Sequence, residues 1–221
     1  MVNLGAGFDS RAYRFRQALR NVKVFELDYG PTQEYKRRRV AEVIGPPPPN
    51  LIFVPIDFTR EKLVDVLGRA GYRRDRKTFF IWEGVTMYIP CEAVLDTLRY
   101  IASNKMPGSA VVFDYGTGNG GDGASVQRRA QRAMLGSWGE PVIFGIPAGT
   151  TQQFVKETGL DLVENLGASG PEAVKRYLTR KDGTVMGELT GPLPQPAGAE
   201  PFDTLYFALA AVPGPSRAVN R

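Results

Sequence analysis

The sequence predicts an α/β fold with a doubly wound, mostly parallel sheet. Short strand-like runs alternate with longer helical patterns along the chain. The strand runs are also nearly continuously apolar, as strands buried on both faces are. In addition, a Gly-x-Gly turn stands between the first strand and the helix after it.

The first strand is expected over 1–4, closed by Gly5 and Gly7. A helix over 10–19 follows, with Asp9 placed to cap it. The second strand covers 22–27 and its helix 32–43. The proline run 46–49 admits neither helix nor central strand and stiffens the approach to the third strand, 51–56. A helix over 60–70, a fourth strand over 78–82 and a helix over 92–104 come next. Cys91, at the start of that last helix, reads as a small buried residue. The fifth strand, 110–115, runs into the glycine-rich stretch 115–123, which lacks the GK[ST] ending of a P-loop. That stretch reads either as a mobile loop over a site or as a long connection. Helices over 124–135 and 150–157, a sixth strand over 160–166, a helix over 171–178 and a seventh strand over 204–211 complete the pattern. A Gly/Pro-rich loop, 191–202, precedes the last strand. Residues 1–212 read as a single domain and 213–221 as a flexible tail.

Composition excludes much chemistry. The 221 residues are 43% apolar and 23% charged, enough for one real core. There is no histidine and one cysteine. Histidine-dependent nucleophile systems, His-built zinc sites and intrachain disulfides are therefore ruled out, and no metal site is expected. The formal net charge of +5 is a mild bias. The basic clusters 37–39, 73–77 and 128–132 lack interleaved aromatics for stacking bases, so they read as solvated faces and no nucleic-acid partner is expected. No apolar run approaches the about 18 residues of a membrane span, and no signal pattern opens the chain, so a cytoplasmic setting is expected. Met134, Trp138 and Phe144 read as core or pocket lining. The sequence leaves the oligomeric state open.

Chemistry gathers at the strand tips. Strand, Gly5-Ala6-Gly7 and helix is how α/β proteins bring backbone close to a nucleotide-like ligand. Ser10 stands where the dinucleotide fingerprint wants a third glycine, so an NAD reading and a plain tight turn both remain alternatives. Asp28 lies 21 residues past Gly7, the spacing at which an acidic strand tip reaches ribose hydroxyls. Glu26 or Asp28 could instead pair with an arginine such as Arg11 or Arg14. Asp57 and Phe58 could supply an acceptor and a flat wall for an adenine ring, or Asp57 could cap the following helix. Glu83 ends the fourth strand, a further carboxylate at the same edge.

Taken in order, Asn3-Leu4-Gly5-Ala6-Gly7 with Asp9-Ser10-Arg11, then Glu26-Leu27-Asp28 followed by Gln33 and Lys36, then Ile56-Asp57-Phe58, then Glu83-Gly84-Val85-Thr86-Met87-Tyr88 resemble the successive motifs of S-adenosylmethionine-dependent methyltransferases. The resemblance is to the leucine carboxyl methyltransferase family and its bacterial relatives, and it covers roughly the first half of the chain. It implies a Rossmann-like seven-stranded sheet of order 3-2-1-4-5-7-6, last strand antiparallel, and S-adenosylmethionine as cofactor. By the same resemblance Gly5 and Gly7 lie against the methionine part and Asp28 holds the ribose. Asp57 and Phe58 read the adenine, and Glu83 lies near the sulfonium. Tyr88 matches the family's EGV-x-x-Y tyrosine, on the methyl or substrate side. Family members carry an N-terminal helical segment that supplies a basic residue for the cofactor carboxylate and covers the substrate pocket, whereas this sequence opens in the strand. A relative without that lid, non-catalytic or binding cofactor only, is the alternative expectation.

Methyl transfer from a sulfonium needs alignment of nucleophile and methyl more than proton transfer, which suits a chain without histidine. O-methylation of a small molecule is expected, with a carboxylate acceptor preferred because it is already ionised at neutral pH. A hydroxyl acceptor would need help from Tyr88, Tyr115 or Asp114.

Overall fold

The buried aliphatic runs form the sheet. A computed structural model describes residues 1–104, 106–117, 141–168, 170–186 and 205–214. The strands are β1 Val2–Leu4, β2 Val24–Asp28, β3 Leu51–Pro55, β4 Phe79–Trp82, β5 Ala110–Gly116, β6 Asp161–Gly167 and β7 Leu205–Ala211. They make one seven-stranded sheet of order β3-β2-β1-β4-β5-β7-β6. β1 pairs in parallel with β2 on one side and β4 on the other, so the winding reverses at β1. β7 is antiparallel to both β5 and β6, and a bulge between Leu162 and Glu164 interrupts the outer pairing. Each strand lies within two residues of its expected position.

The helices are α1 Arg11–Arg14, α2 Gly30–Val43, α3 Leu63–Arg69, α4 Cys91–Ala102 and α5 Thr151–Glu157. A short helical turn, Pro171–Ala173, passes into a π-helical turn, Val174–Leu178, where one regular helix was expected. α1 is far shorter than the expected 10–19. Only Ala12 and Tyr13 bury an apolar face there, and residues 14–18 are exposed, so the turns between Tyr13 and Leu19 gain no packing that would keep them helical. α3 starts three residues later than expected, because the chain from Asp57 to Glu61 first makes its own capped turn. A 3₁₀ turn over Thr86–Tyr88, not foreseen from the sequence, carries the chain from β4 toward α4.

α4 buries Val94, Thr97, Leu98 and Ile101, a stripe at helical spacing. Cys91 is the first residue of α4, one turn before the buried stripe begins, and is exposed, which corrects the expectation that it is buried. The main core joins the strands to α3, α4 and α5 and includes fully buried Trp82, Phe113 and Ile146. Phe144 is buried in it as expected. On the other face Ala12, Tyr13, Val24 and Leu51 form a smaller cluster. The expected helix 124–135, Met134, Trp138, the loop 191–202 and most of the stretches 115–123 and 213–221 lie outside the described residues.

Candidate cofactor site

Parallel strands deliver their C-terminal tips to one edge, and ligands of open α/β sheets bind in the crevice where the winding reverses. Here that edge gathers the Gly5–Gly7 turn, Asp28, Asp57, Glu83 and Asp114.

The glycine turn is pinned from β2. The Gly5 and Ala6 amides both donate to the Leu27 carbonyl, at 2.8 and 2.9 Å. The Gly7 amide donates to Asp28 Oδ2 at 2.5 Å, and the Tyr29 amide donates to Oδ1 at 2.7 Å. Each Asp28 oxygen thus keeps acceptor capacity for a further donor, the arrangement a ribose diol needs. The two glycines serve different ends. Gly5 has φ +70° and a Cβ there would overlap Val85 Cγ2, so this glycine is required by packing between the first and fourth motifs. Gly7 has φ +39° with open space where a Cβ would stand, and that space is where a ligand can approach the backbone.

Glu26 does not share Asp28's role, nor does it pair with an arginine. It is 2% exposed and bound by Lys36 at 2.7 Å, itself 2% exposed, while Gln33 Nε2 donates to the Glu26 carbonyl at 3.0 Å. Burial raises the Glu26 carboxyl above its ordinary range, opposed by the Lys36 charge. This buried pair joins β2 to α2 directly beneath the tip that carries Asp28.

Arg11 binds neither Glu26 nor Asp28. Its guanidinium donates to Asp9 Oδ2 at 2.9 Å and to Glu83 Oε2 at 2.6 Å, linking the turn after β1 to the tip of β4. Asp9 also accepts the Arg11 amide at 2.7 Å, as the expected cap, and the Asn3 side-chain amide at 2.7 Å. Arg11 lies only two residues after Asp9, so the Asp-Ser-Arg triplet was visible in the sequence, but the partner Glu83 is set by the β1–β4 pairing alone. Asp114, near the end of β5, accepts the Gly84 amide at 2.9 and 3.0 Å, and its carbonyl accepts Thr86 Oγ1 at 2.5 Å. Burial raises the Asp114 carboxyl, and the Glu83 charge adds to the shift.

Asp57 proves to be a turn cap. Its Oδ1 accepts the Thr59 amide at 2.9 Å and the Thr59 hydroxyl at 2.6 Å, which lower its pKa, and Glu61 reaches back to the Asp57 amide at 3.1 Å. It does not cap α3, whose N-cap is Lys62. Among the described residues Oδ2 has only Arg60, at 3.6 Å, so an acceptor remains for a ligand amine. Phe58, next in the chain, is half-buried against the core. β3 holds both next to Asp28, since the Ile56 amide donates to the Asp28 carbonyl at 2.9 Å. Tyr88 ends the 3₁₀ turn, half-buried. Among the described residues there is no cluster of carboxylates and thiols that could hold a metal ion.

A doubly wound sheet of this order with an antiparallel penultimate strand in space defines the Rossmann-like methyltransferase fold. Likeness to solved structures agrees. A duf574 family protein from Streptomyces avermitilis aligns over 96% of this chain and 74% of its own, with TM-score 0.61 and 15% identity. LepI, solved in complex with S-adenosylmethionine, aligns over 96% and 42%, with TM-score 0.54 and 14% identity. Residues 1–102 match the family described as leucine carboxyl methyltransferase, so the resemblance read from the motifs is borne out. A Bacillus subtilis relative named "Putative S-adenosyl-L-methionine-dependent methyltransferase YktD" is 30% identical over 75% of this chain and 55% of its own length. A Mycolicibacterium vanbaalenii protein described in the same words, without the name YktD, is 35% identical over 53% of this chain and 38% of its own. The chain thus spans about half the length of these curated relatives or less.

Proposed function

We propose that the chain binds S-adenosylmethionine in the crevice and transfers its methyl group to an oxygen of a small molecule. The observation that carries this is the Asp28 carboxylate. It is fixed by the Gly7 and Tyr29 amides at the tip of β2 and keeps room for two hydroxyl donors. The family match over residues 1–102 supports the cofactor. When bound, the cofactor supplies a methyl on a sulfonium. Asp28 takes the ribose, Gly5 and Gly7 line the methionine part, and Asp57 Oδ2 with Phe58 meets the adenine. Glu83 and Arg11, a carboxylate and a guanidinium side by side, match the ammonium and carboxylate of the amino-acid end. Tyr88 stands on the acceptor side.

A small acceptor suits the surface better than a nucleic acid. Arg37 and Arg39 pair with Glu34 and Glu42, and Arg73 with Asp75, so these clusters are partly neutralised in place. No helix among the described residues is long and apolar enough to cross a membrane. The single thiol fits a cytoplasmic setting.

Thermal unfolding with S-adenosylhomocysteine tests the reading. Ligand at a hundred times its Kd adds about 2.7 kcal/mol, a rise of roughly 5–11 °C for a chain of this size. NADH is expected to give no rise, and Asp28→Ala to lose the rise with the homocysteine compound. A shift with NADH alone overturns the reading in favour of the dinucleotide alternative.

A further inference from the structure

The turn that follows β4 carries two contacts of the site at once. Glu83 Oε2 accepts the Arg11 guanidinium at 2.6 Å, and Val85 Cγ2 fills the space over Gly5. Between them Gly84 has φ +70° and open space where a Cβ would stand, so packing at that residue does not hold the turn. It is held from β5. Glu83 and Asp114 stand one residue past the Trp82–Phe113 pair on their strands. Both Asp114 carboxylate oxygens lie on the Gly84 amide, at 2.9 and 3.0 Å, and the Asp114 carbonyl accepts the Thr86 hydroxyl at 2.5 Å. One residue thus grips the turn on either side of Val85.

The residue type is informative. Asp114 is 7% exposed, and no lysine or arginine among the described residues pairs with it. Burial, and then the charge of Glu83, both oppose its ionisation. A buried carboxylate answered by one amide is a costly way to close a turn. However, only a carboxylate sets two acceptors and no donor against that amide. An asparagine in the same rotamer would turn its own N–H groups toward the Gly84 N–H. Asp114 was offered by the sequence as a helper for a hydroxyl acceptor, but both its oxygens are on the turn. Through Val85 the grip reaches Gly5, and through Glu83 it reaches Arg11, which Asp9 holds from the other side at 2.9 Å.

We propose that Asp114 is a positioning residue: by fixing the turn from Glu83 to Thr86 it aims the Glu83 carboxylate at the amino group of the cofactor, and so makes the site selective for adenosyl compounds that carry an amino-acid end. The inference rests on the reading above in which Glu83 and Arg11 meet that end. Asp114 needs no contact with the cofactor to act in this way. With the turn loosened, Glu83 spends part of its time away from the ammonium, and a charge-assisted bond is weakened while the adenosine contacts stay as they are.

The test compares S-adenosylhomocysteine with methylthioadenosine, which has the same adenosine and sulfur but no amino-acid end. Both are titrated by calorimetry into the parent and its variants, with folding followed by circular dichroism at the same temperature. The parent should bind S-adenosylhomocysteine about tenfold more tightly or better, the low end for hydrogen bonds to charged groups. Asp114→Ala should weaken S-adenosylhomocysteine by about tenfold and leave methylthioadenosine within about twofold. Asp114→Asn keeps one acceptor and should fall between, at about threefold. In a Glu83→Gln background Asp114→Ala should cost no more than about twofold, because the charge it aims is gone. Thr86→Val removes the second attachment at nearly constant shape and should weaken S-adenosylhomocysteine alone, by about threefold.

Equal losses for the two ligands in Asp114→Ala, or a loss for neither, overturn the proposal. An undiminished loss in the Glu83→Gln background does so too. If Asp114→Ala does not fold, Thr86→Val decides, and binding of both ligands as in the parent overturns it. A parent that binds the two ligands equally overturns instead the placement of Glu83 and Arg11 at the amino-acid end, and one that binds neither overturns the cofactor reading itself.

Discussion

Gly5→Ala is expected to destabilise the chain by about 3 kcal/mol. A left-handed backbone costs an L-residue roughly 1–2 kcal/mol, and forcing a methyl into packed surroundings adds roughly 1–3 kcal/mol. Both apply at Gly5, with φ +70° and Val85 Cγ2 occupying the place of a Cβ. For a chain of this length the midpoint should fall by roughly 6–12 °C. Gly7→Ala is the comparison, because its φ of +39° carries strain without overlap, and a loss of about 1 kcal/mol is expected there. Val85→Ala should recover part of the Gly5→Ala loss, a coupling that a double-mutant cycle in thermal or urea unfolding measures. Equal losses at the two glycines would contradict the packing role assigned to Gly5.

Lys36→Met is expected to cost about 3–5 kcal/mol at neutral pH, because it leaves Glu26 buried and unpaired. The pH dependence gives the prediction its sign. Burial raises the folded-state pKa of Glu26 above the ordinary 4.5. A raised folded value means that stability is complete below the unfolded pKa and declines as pH climbs through the folded one. Without Lys36 the opposing charge is gone, the folded value climbs further, and the loss extends toward neutral pH. Lys36→Met should therefore be closest to the parent near pH 5 and furthest from it near pH 8, as urea unfolding across that range will show. The double variant Lys36→Met with Glu26→Gln should remove most of the pH dependence. A cost that is the same at both ends of the range would mean that Glu26 is not the charge left stranded.

The sheet was legible in the sequence because buried parallel strands read as nearly unbroken apolar runs, and Leu51–Pro55 and Phe79–Trp82 could be little else. Helix ends were less legible. Residues 15–19 carry a helix-compatible pattern, but residues 15–18 are exposed and Leu19 alone of the five packs against the smaller cluster, and a one-dimensional pattern does not record the missing support. At the site, Asp28 and the glycines could be found by spacing, since chain distance fixes how far a strand tip stands from the turn. Asp57 could not be resolved that way, because a turn cap and an adenine acceptor ask for the same side chain. The Arg11–Glu83 and Glu26–Lys36 pairs show two further limits. The first joins residues 72 apart and depends on which strands become neighbours. The second buries a lysine on α2, whose inward face is Gln33 and Lys36, so an apolar stripe was never there to read. Cys91 failed for a related reason: residue type suggested burial, but position in the first turn of α4 decided exposure.

β7 is the last of the described strands along the sequence but an interior one in the sheet, with β5 on one side and β6 on the other. As the chain leaves the ribosome, β1 to β5 can zip together while β6, whose only neighbour in the sheet is β7, waits with open edges. Until Leu205–Ala211 emerges, the edge of β5 and both edges of β6 stand unpaired, and any of them can recruit another chain. The final strand acts as a wedge driven between them. A ribosome that stalls after β6 and before β7 would therefore release an adhesive product.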